Sequence, residues 1–343
     1  MIRLTTKIPL LAIIFALLSS FHSVLEAAEL IRLSVSIPGP GAASYYPIEL
    51  ISKIGADKAE GAELRVVFSP GGPEALNQML NNNTDFAVVG LPAAMSVRLK
   101  DNRLTAIAAV NDLPLYALLV RYALKGEVKS IADLKGRTIG LHSNSASSKS
   151  TSQQVLELLF QRGGVPSGSY RIIGIGRRWE SEAFMLKTGA VDAVIGDEPH
   201  ATHMVSEKIA FPLIHLGETE TMRLFAGAGF LRGALIARSD KLERDPEKAA
   251  LMVRILKRTL AWIKTHSADE FANTMGIVDP DERQKFVAVL NKYPRQYSRD
   301  GSFSSRQLRD TEIFFIDSQA GNTLAQNFRI DAMINDHWVG RRD

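Results

Sequence analysis

Asp85-Phe-Ala-Val-Val-Gly-Leu-Pro92 and Asp192-Ala-Val-Ile-Gly-Asp-Glu-Pro199 are two versions of one pattern: an acidic residue, a fully apolar run, a glycine and, within three residues, a proline. Ahead of the first copy stand an apolar segment at 31–35, a loop of small residues, a helical stretch at 46–54, Gly61, a second apolar segment at 64–68, a Gly-rich turn and a helical pattern at 74–80. Ahead of the second stand an apolar segment at 138–141, a Ser-rich loop, a helical stretch at 155–160, Gly163-Gly164, an apolar segment at 171–175, a helical pattern at 182–186 and Gly189. The offset holds throughout: 106 residues from Leu33 to Ile139, 107 from Asp85 to Asp192. Short apolar runs between helical patterns are what parallel strands buried on both faces look like, and their alternation predicts an α/β sheet. Written twice, the pattern predicts two lobes with a ligand-binding cleft between them.

A second pair of similar segments, Ala117-Leu-Leu-Val-Arg121 and Ala234-Leu-Ile-Ala-Arg238, flanks the second copy. We read these as hinge strands that carry the chain into the second lobe and back. The expected division is residues 29–113 and 239–343 in lobe one and 114–238 in lobe two, both hinge strands included. Beyond the return, Asp245 suits a helix N-cap and Pro246 a first helical position, and the apolar stripe Leu251, Ile255 and Trp262 predicts a long helix. Nothing in this C-terminal block repeats the lobe pattern, so it is expected to pack back on lobe one.

Arg3 and Lys7 precede the apolar run 8–18, and small residues follow, among them Ala27 and Ala28. That order is a secretory signal over residues 1–28, and the run is too short for a spanning helix, which needs about 20 residues. Of the 343 residues, 45% are apolar and 23% charged, an ordinary globular balance with room for two domains. With no cysteine there is no disulfide, thiolate metal site, Cys nucleophile or cysteine-linked lipid anchor. A formal net charge of +4 without a Lys/Arg block argues against nucleic-acid binding. A periplasmic location is the expectation.

In open parallel sheets ligands bind outside the carboxyl ends of the strands, where backbone amides and helix starts converge. Six loops qualify. Lobe one offers Gly41, Ser44, Tyr45 and Tyr46 in the first, Ser69, Gly71 and Gly72 in the second, and Gly90 and Pro92 in the third. Lobe two offers Ser143, Ser145, Ser147 and Ser148 in the Ser-rich loop, Arg177 and Trp179 in the next, and Asp197 and Glu198 in the last. Hydroxyls and a helix start, with Lys149 beside them, suit a small oxyanion; the alternative is a flexible surface loop. Glycines at 71 and 72 permit close backbone approach to a ligand, or form a plain tight turn. Tyr45, Tyr46 and Trp179 can stack on a ring at the cleft mouth or pack their own lobe. One of Asp197 and Glu198 is expected to hold a ligand cation or ring N–H, the alternative being a salt bridge to Arg177 or Arg178.

Catalytic signatures are missing. The chain has no Gly-x-Ser-x-Gly elbow, and His142, His200, His203 and His215 form no His-Glu-x-x-His zinc motif. Neither a dinucleotide fingerprint nor a phosphate-binding Gly-Lys-Ser/Thr loop occurs, so no cofactor or metal is expected.

Ile131-Ala-Asp-Leu-Lys-Gly-Arg-Thr-Ile-Gly140, Leu186-Lys-Thr-Gly-Ala-Val-Asp-Ala-Val194 with Glu198-Pro199, and the 240–262 stretch with its Asp-Pro helix start carry a family resemblance. The chain resembles the extracytoplasmic substrate-binding proteins of ABC transporters, in the branch for nitrate, sulfonates, taurine and thiamine pyrimidine precursors. The resemblance implies a two-lobed type II periplasmic binding fold with a two-strand hinge. It also implies a non-catalytic, monomeric receptor that presents a small anionic or zwitterionic solute, such as a sulfonate, a carboxylate or a pyrimidine, to an inner-membrane ABC permease. Ligand contacts would fall at 41–46, 69–72, 90–92, 143–148 and 197–199. A periplasmic enzyme with Asp197 or Glu198 as base, and a ligand sensor on the same fold, are the alternatives.

Overall fold

The computed structural model describes residues 29–142, 148–176, 178–223 and 225–343. The signal expected at 1–28, and Ser143, Ser145, Ser147 and Arg177 of the candidate loops, lie outside the described residues. Ten strands, β1 (Ile31–Pro38), β2 (Ala62–Ser69), β3 (Phe86–Gly90), β4 (Leu104–Asn111), β5 (Tyr116–Arg121), β6 (Thr138–Leu141), β7 (Arg171–Gly174), β8 (Ala193–Asp197), β9 (Ala210–His215) and β10 (Gly233–Arg238), make two five-stranded sheets. Their orders are β2-β1-β3-β10-β4 and β7-β6-β8-β5-β9. Position by position the orders match, so the twofold pattern in the sequence is a twofold pattern in space.

The acidic residue of the repeat has the same work in both lobes. In lobe one, Asp85 Oδ2 accepts the Ser34 N–H at 2.8 Å and the Ser34 hydroxyl at 2.7 Å. In lobe two, Asp192 Oδ2 accepts the Thr138 N–H at 3.0 Å. Each aspartate thus ties the start of its strand to the strand beside it, and satisfies a backbone donor that the short ladder leaves over. Each also meets a cation, Lys248 for Asp85 and Arg121 for Asp192.

Strand β10 belongs to lobe one, not to lobe two as expected. It runs antiparallel between β3 and β4. The reason is burial on both faces: Leu235 joins the apolar cluster under the helix Pro246–Thr265, whereas Ala234 and Ile236 join the cluster on the other side of the sheet. Strand β5 fills the equivalent slot in lobe two, antiparallel between β8 and β9. The two similar segments are therefore the fourth strands of the two sheets, and each is reached directly after a crossing between lobes.

The C-terminal block packs mainly on lobe one, with one departure from the expectation. Helix Pro246–Thr265 covers the lobe-one sheet, capped by Asp245 as read from the sequence. Helix Ser305–Ser318 serves both lobes: Phe315 sits with Leu76, Met95 and Ile236 of lobe one, and Phe314 sits with Phe160, Phe225 and Phe230 in the lobe-two core. The Phe314 and Phe230 rings stack 4.2 Å apart. Among the described residues no helix is long and apolar enough to cross a membrane.

Phe314→Ala removes a fully buried ring from a helix that is seated in both cores, and is expected to destabilise the protein by about 3–5 kcal/mol. Urea unfolding followed by circular dichroism measures it; a loss under about 1 kcal/mol contradicts the packing described.

Candidate functional site

The carboxyl ends of the parallel strands of both sheets face one another across the gap between the lobes, and the loops that follow them touch. The Ala43 N–H of lobe one donates to the Glu198 carbonyl of lobe two at 3.0 Å. Thr151, which opens the helix Thr151–Arg162 after the Ser-rich loop, accepts the Ala93 N–H on its hydroxyl at 3.3 Å. Gln154, one turn further, donates to the Pro92 carbonyl at 3.0 Å. Gly90 is needed for this approach, because a Cβ there would stand 2.2 Å from the Thr151 hydroxyl.

At the floor of the gap stands a residue that the sequence reading did not select. Arg232 precedes β10, its carbonyl held by the Leu91 N–H at 3.1 Å. Its side chain is 1% exposed. The Nη2 group donates to Asp197 Oδ2 of lobe two at 3.2 Å. The guanidinium carbon lies 4.5 Å from the ring centroid of Tyr116, which starts β5, and 5.6 Å from that of Tyr45. A lobe-one cation is thus flanked by one aromatic ring from each lobe and paired with a lobe-two carboxylate. Its Nε and Nη1 are buried with no hydrogen-bond partner among the described residues. Burial alone would pull its pKa down, but Tyr116, Tyr45 and Asp197 hold it above the ordinary arginine range, so it is a permanent cation.

Two more buried polar atoms stand at the lobe-one strand ends. Ser69 Oγ, closing β2, and Asn111 Oδ1, closing β4, have no hydrogen-bond partner among the described residues. Asn111 neighbours Gly233 across the β4–β10 ladder, where a Cβ would come within 2.6 Å of the Asn111 oxygen.

Behind the cleft, at the end of β6, lies a second cluster outside the sequence reading. Glu182 is fully buried, its Oε1 3.1 Å from His142 Nε2 and 3.4 Å from His200 Nδ1. Burial pushes the Glu182 carboxyl up, but the two imidazoles outweigh that and hold it at about 2.

The candidates chosen from sequence divide. Tyr45, Gly90 and Asp197 converge on Arg232, and Ser44, Ser69, Gly71 and Gly72 are buried along the lobe-one side. Gly72 packs on Ala93 rather than leaving open space. Glu198 is held within lobe two: its carboxylate accepts the Thr202 N–H and hydroxyl, each at 3.0 Å, and lies 2.9 Å from His215 Nε2. Asp197 is likewise committed within the protein, to Arg232 rather than to Arg177 or Arg178. Tyr46 and Trp179 pack within their lobes, Tyr46 against Phe271 and Phe286 with its hydroxyl on the Gly41 carbonyl, Trp179 stacked 3.6 Å from His203. Both, with Gly41, still line a pocket of about 490 Å³ at the edge of the gap, together with Glu49, His200 and Lys285. Ser148 is half-buried just ahead of the helix.

Arg232 and Tyr116 escaped because attention fell on the carboxyl ends of parallel strands. Antiparallel strands reach the same edge with their first residues. The available signal was an arginine in the otherwise apolar run Phe230-Leu-Arg-Gly233.

The Glu182 shift has a pH consequence. Its folded pKa lies below the ordinary 4.5, so its stabilising contribution is complete above that value and is lost as pH falls from 4.5 toward 2. The contribution is on the order of 3 kcal/mol. Glu182→Gln is expected to be less stable at neutral pH and to lack this part of the acid slope. Melting midpoints of both proteins from pH 6 to about 2.5 decide it, and parallel curves count against it.

Residues 58–269 match the model of the NMT1/THI5 like family, which is more than half of the chain. No curated protein matches the sequence. Among solved structures, a protein from Bordetella bronchiseptica RB50 aligns over 90% of this chain and 96% of its own at 19% identity, with a TM-score of 0.80. The alkanesulfonate-binding protein SsuA from Xanthomonas axonopodis pv. citri, bound to MOPS, aligns over 90% and 99% at 14% identity, with a TM-score of 0.70. The periplasmic nitrate-binding protein NrtA from Synechocystis PCC 6803 aligns over 90% and 86% at 10% identity, with a TM-score of 0.66. The desulfurization enzyme DSZB also shares the fold, at 15% identity and a TM-score of 0.56, so fold alone does not separate binding from catalysis. With the twin sheets, the double crossing and the match over 58–269 together, the chain belongs to the NMT1/THI5-like family and has the two-lobed periplasmic binding protein fold.

Proposed function

We propose that this protein is a periplasmic solute receptor, non-catalytic, that captures a small anionic or zwitterionic organic solute between its lobes and delivers it to an ABC permease. A sulfonate or taurine-like compound, a carboxylate or a pyrimidine fits that description. The observation that carries this reading is the interlobe floor: Ser69, Asn111 and Arg232 of lobe one are buried and each has a polar atom with no hydrogen-bond partner among the described residues, and Asp197 of lobe two meets Arg232 across the lobes. Buried polar atoms without partners are costly, at roughly 1–3 kcal/mol each, and a polar solute relieves that cost only where the lobes meet around it. The similarity to binding proteins for sulfonate and nitrate supports the same reading.

Closure follows from differential contact. A solute that touches both lobes favours the closed form by the contacts it makes only there. Salt bridges at the rim, Lys285 to Glu207 at 3.0 Å and Lys292 to Glu218 at 2.6 Å, join the helix Pro280–Lys292 to lobe two in this form. Being exposed, they add little on their own, so the solute has to supply most of the bias. Micromolar binding, about −8 kcal/mol, is within reach of a few charge-assisted hydrogen bonds after ordering costs. The carboxylates bear on the enzyme alternative: Glu198 is bonded to Thr202 and His215 and Asp197 to Arg232, so both acids have partners within the protein.

The mature protein is expected to gain several degrees in melting midpoint with at least one member of a panel of alkanesulfonates, amino acids, nitrate and pyrimidines, and to release that solute chemically unchanged. A panel without any shift, or turnover of the bound compound, overturns the receptor reading. Gly90→Val supplies the mechanical test. Its side chain meets Thr151, so the variant should hold the lobes apart, keep native circular dichroism, show a larger radius of gyration with solute present, and bind at least about tenfold more weakly.

A further inference from the structure

The pair Arg232–Asp197 is the only buried ion pair between the lobes that we find among the described residues, and it is incomplete. The hydrogen bond from Arg232 Nη2 to Asp197 Oδ2 is 3.2 Å, longer than a good charge-assisted bond, which runs about 2.7–2.9 Å. Nε and Nη1 stay buried without a partner among the described residues. Leaving N–H groups of a cation dry and unbonded is unfavourable, and the other acids nearby do not relieve it: Glu198 is taken by Thr202 and His215, and Glu182 by His142 and His200.

We propose that Arg232 is the recognition point for an oxyanion carried by the solute, and that Asp197 is its resident competitor, a carboxylate that closes the lobes on Arg232 when no solute is bound. This deepens the receptor reading and rests on it. The chemistry selects the class. An ammonium or guanidinium solute brought to this floor faces a permanent cation; a neutral ring presents only neutral acceptors; a carboxylate or sulfonate offers two or three charged oxygens to the open N–H groups. Tyr45 and Tyr116, over the guanidinium faces, keep it planar and fixed while exchanging one anion for the other. The ligand-free protein therefore closes partly by itself, and the solute has to outbid an internal carboxylate. Removing the competitor's charge improves binding, whereas a carboxylate that merely held the site in shape would weaken it when neutralised.

Calorimetry on the mature protein, with ethanesulfonate, acetate and nitrate as anions and uncharged ethanesulfonamide as control, tests this. Wild type is expected to bind at least one of the three anions and not the amide. Arg232→Gln should lose about 30-fold or more in affinity for that anion, with Arg232→Lys between the two. Asp197→Asn should bind it about tenfold more tightly and, without it, melt at a lower temperature and scatter as a more open molecule. If Arg232→Gln does not fold, the lysine and Asp197→Asn variants carry the test. Equal affinity in the arginine variants, or weaker binding in Asp197→Asn, overturns the proposal. If wild type ignores all three anions but closes on an aminopyrimidine or an amino acid, the oxyanion assignment fails and the receptor reading stands. If it closes on no solute of any class, both fail.

Discussion

The crossing of the chain from each lobe into the other constrains everything else in the molecule. Because β5 and β10 enter their sheets antiparallel to the strands beside them, their first residues reach the edge where the parallel strands end. That geometry delivers Tyr116 and Arg232 to the same place as Gly90 and Asp197, though the four are far apart in the sequence. The proposed floor needs both lobes. The two crossings that place Tyr116 and Arg232 there are also chain links between the lobes.

The charges of the cleft follow a common rule, in which each buried acid has its own internal counterpart. Glu182 has two imidazoles, Glu198 a histidine and two donors from Thr202, and Asp197 has Arg232. The first two arrangements are complete within lobe two and act as local structure. The third spans the lobes and is short of acceptors. Balanced pairs inside one lobe do not depend on how the lobes sit, whereas a pair that spans them does. The contrast separates residues that shape one lobe from the pair on which the proposed recognition rests.

Much of the fold was legible because it rests on patterns that repeat. Strand and helix order, the offset between lobes and the Asp245-Pro246 helix start follow from apolar period and capping chemistry, which are local. The assignment of 234–238 to lobe two failed because membership of a sheet is decided by which faces need cover: Leu235 and Ile236 point to opposite clusters, and both clusters belong to lobe one. The site was legible in part. Loops after parallel strands are visible as loops, so Tyr45, Gly90 and Asp197, which converge on Arg232, were among the candidates. Which partner an acid there takes depends on the fold, and so the alternatives weighed for Asp197 and Glu198 included neither Arg232 nor His215. Arg232 immediately precedes β10, and the matching residue ahead of β5 is the apolar Leu115, so the repeat does not point to it.

Neighbouring phenylalanines on the helix Ser305–Ser318 look into different interiors, Phe315 into lobe one and Phe314 into lobe two. A side chain locked into each half by its own close packing leaves that helix little room to slide, since protein interiors resist loss of contact. The halves are therefore joined at a third point besides their two chain links. Any separation of the lobes has to pivot close to this helix or strip one of the two rings from its interior.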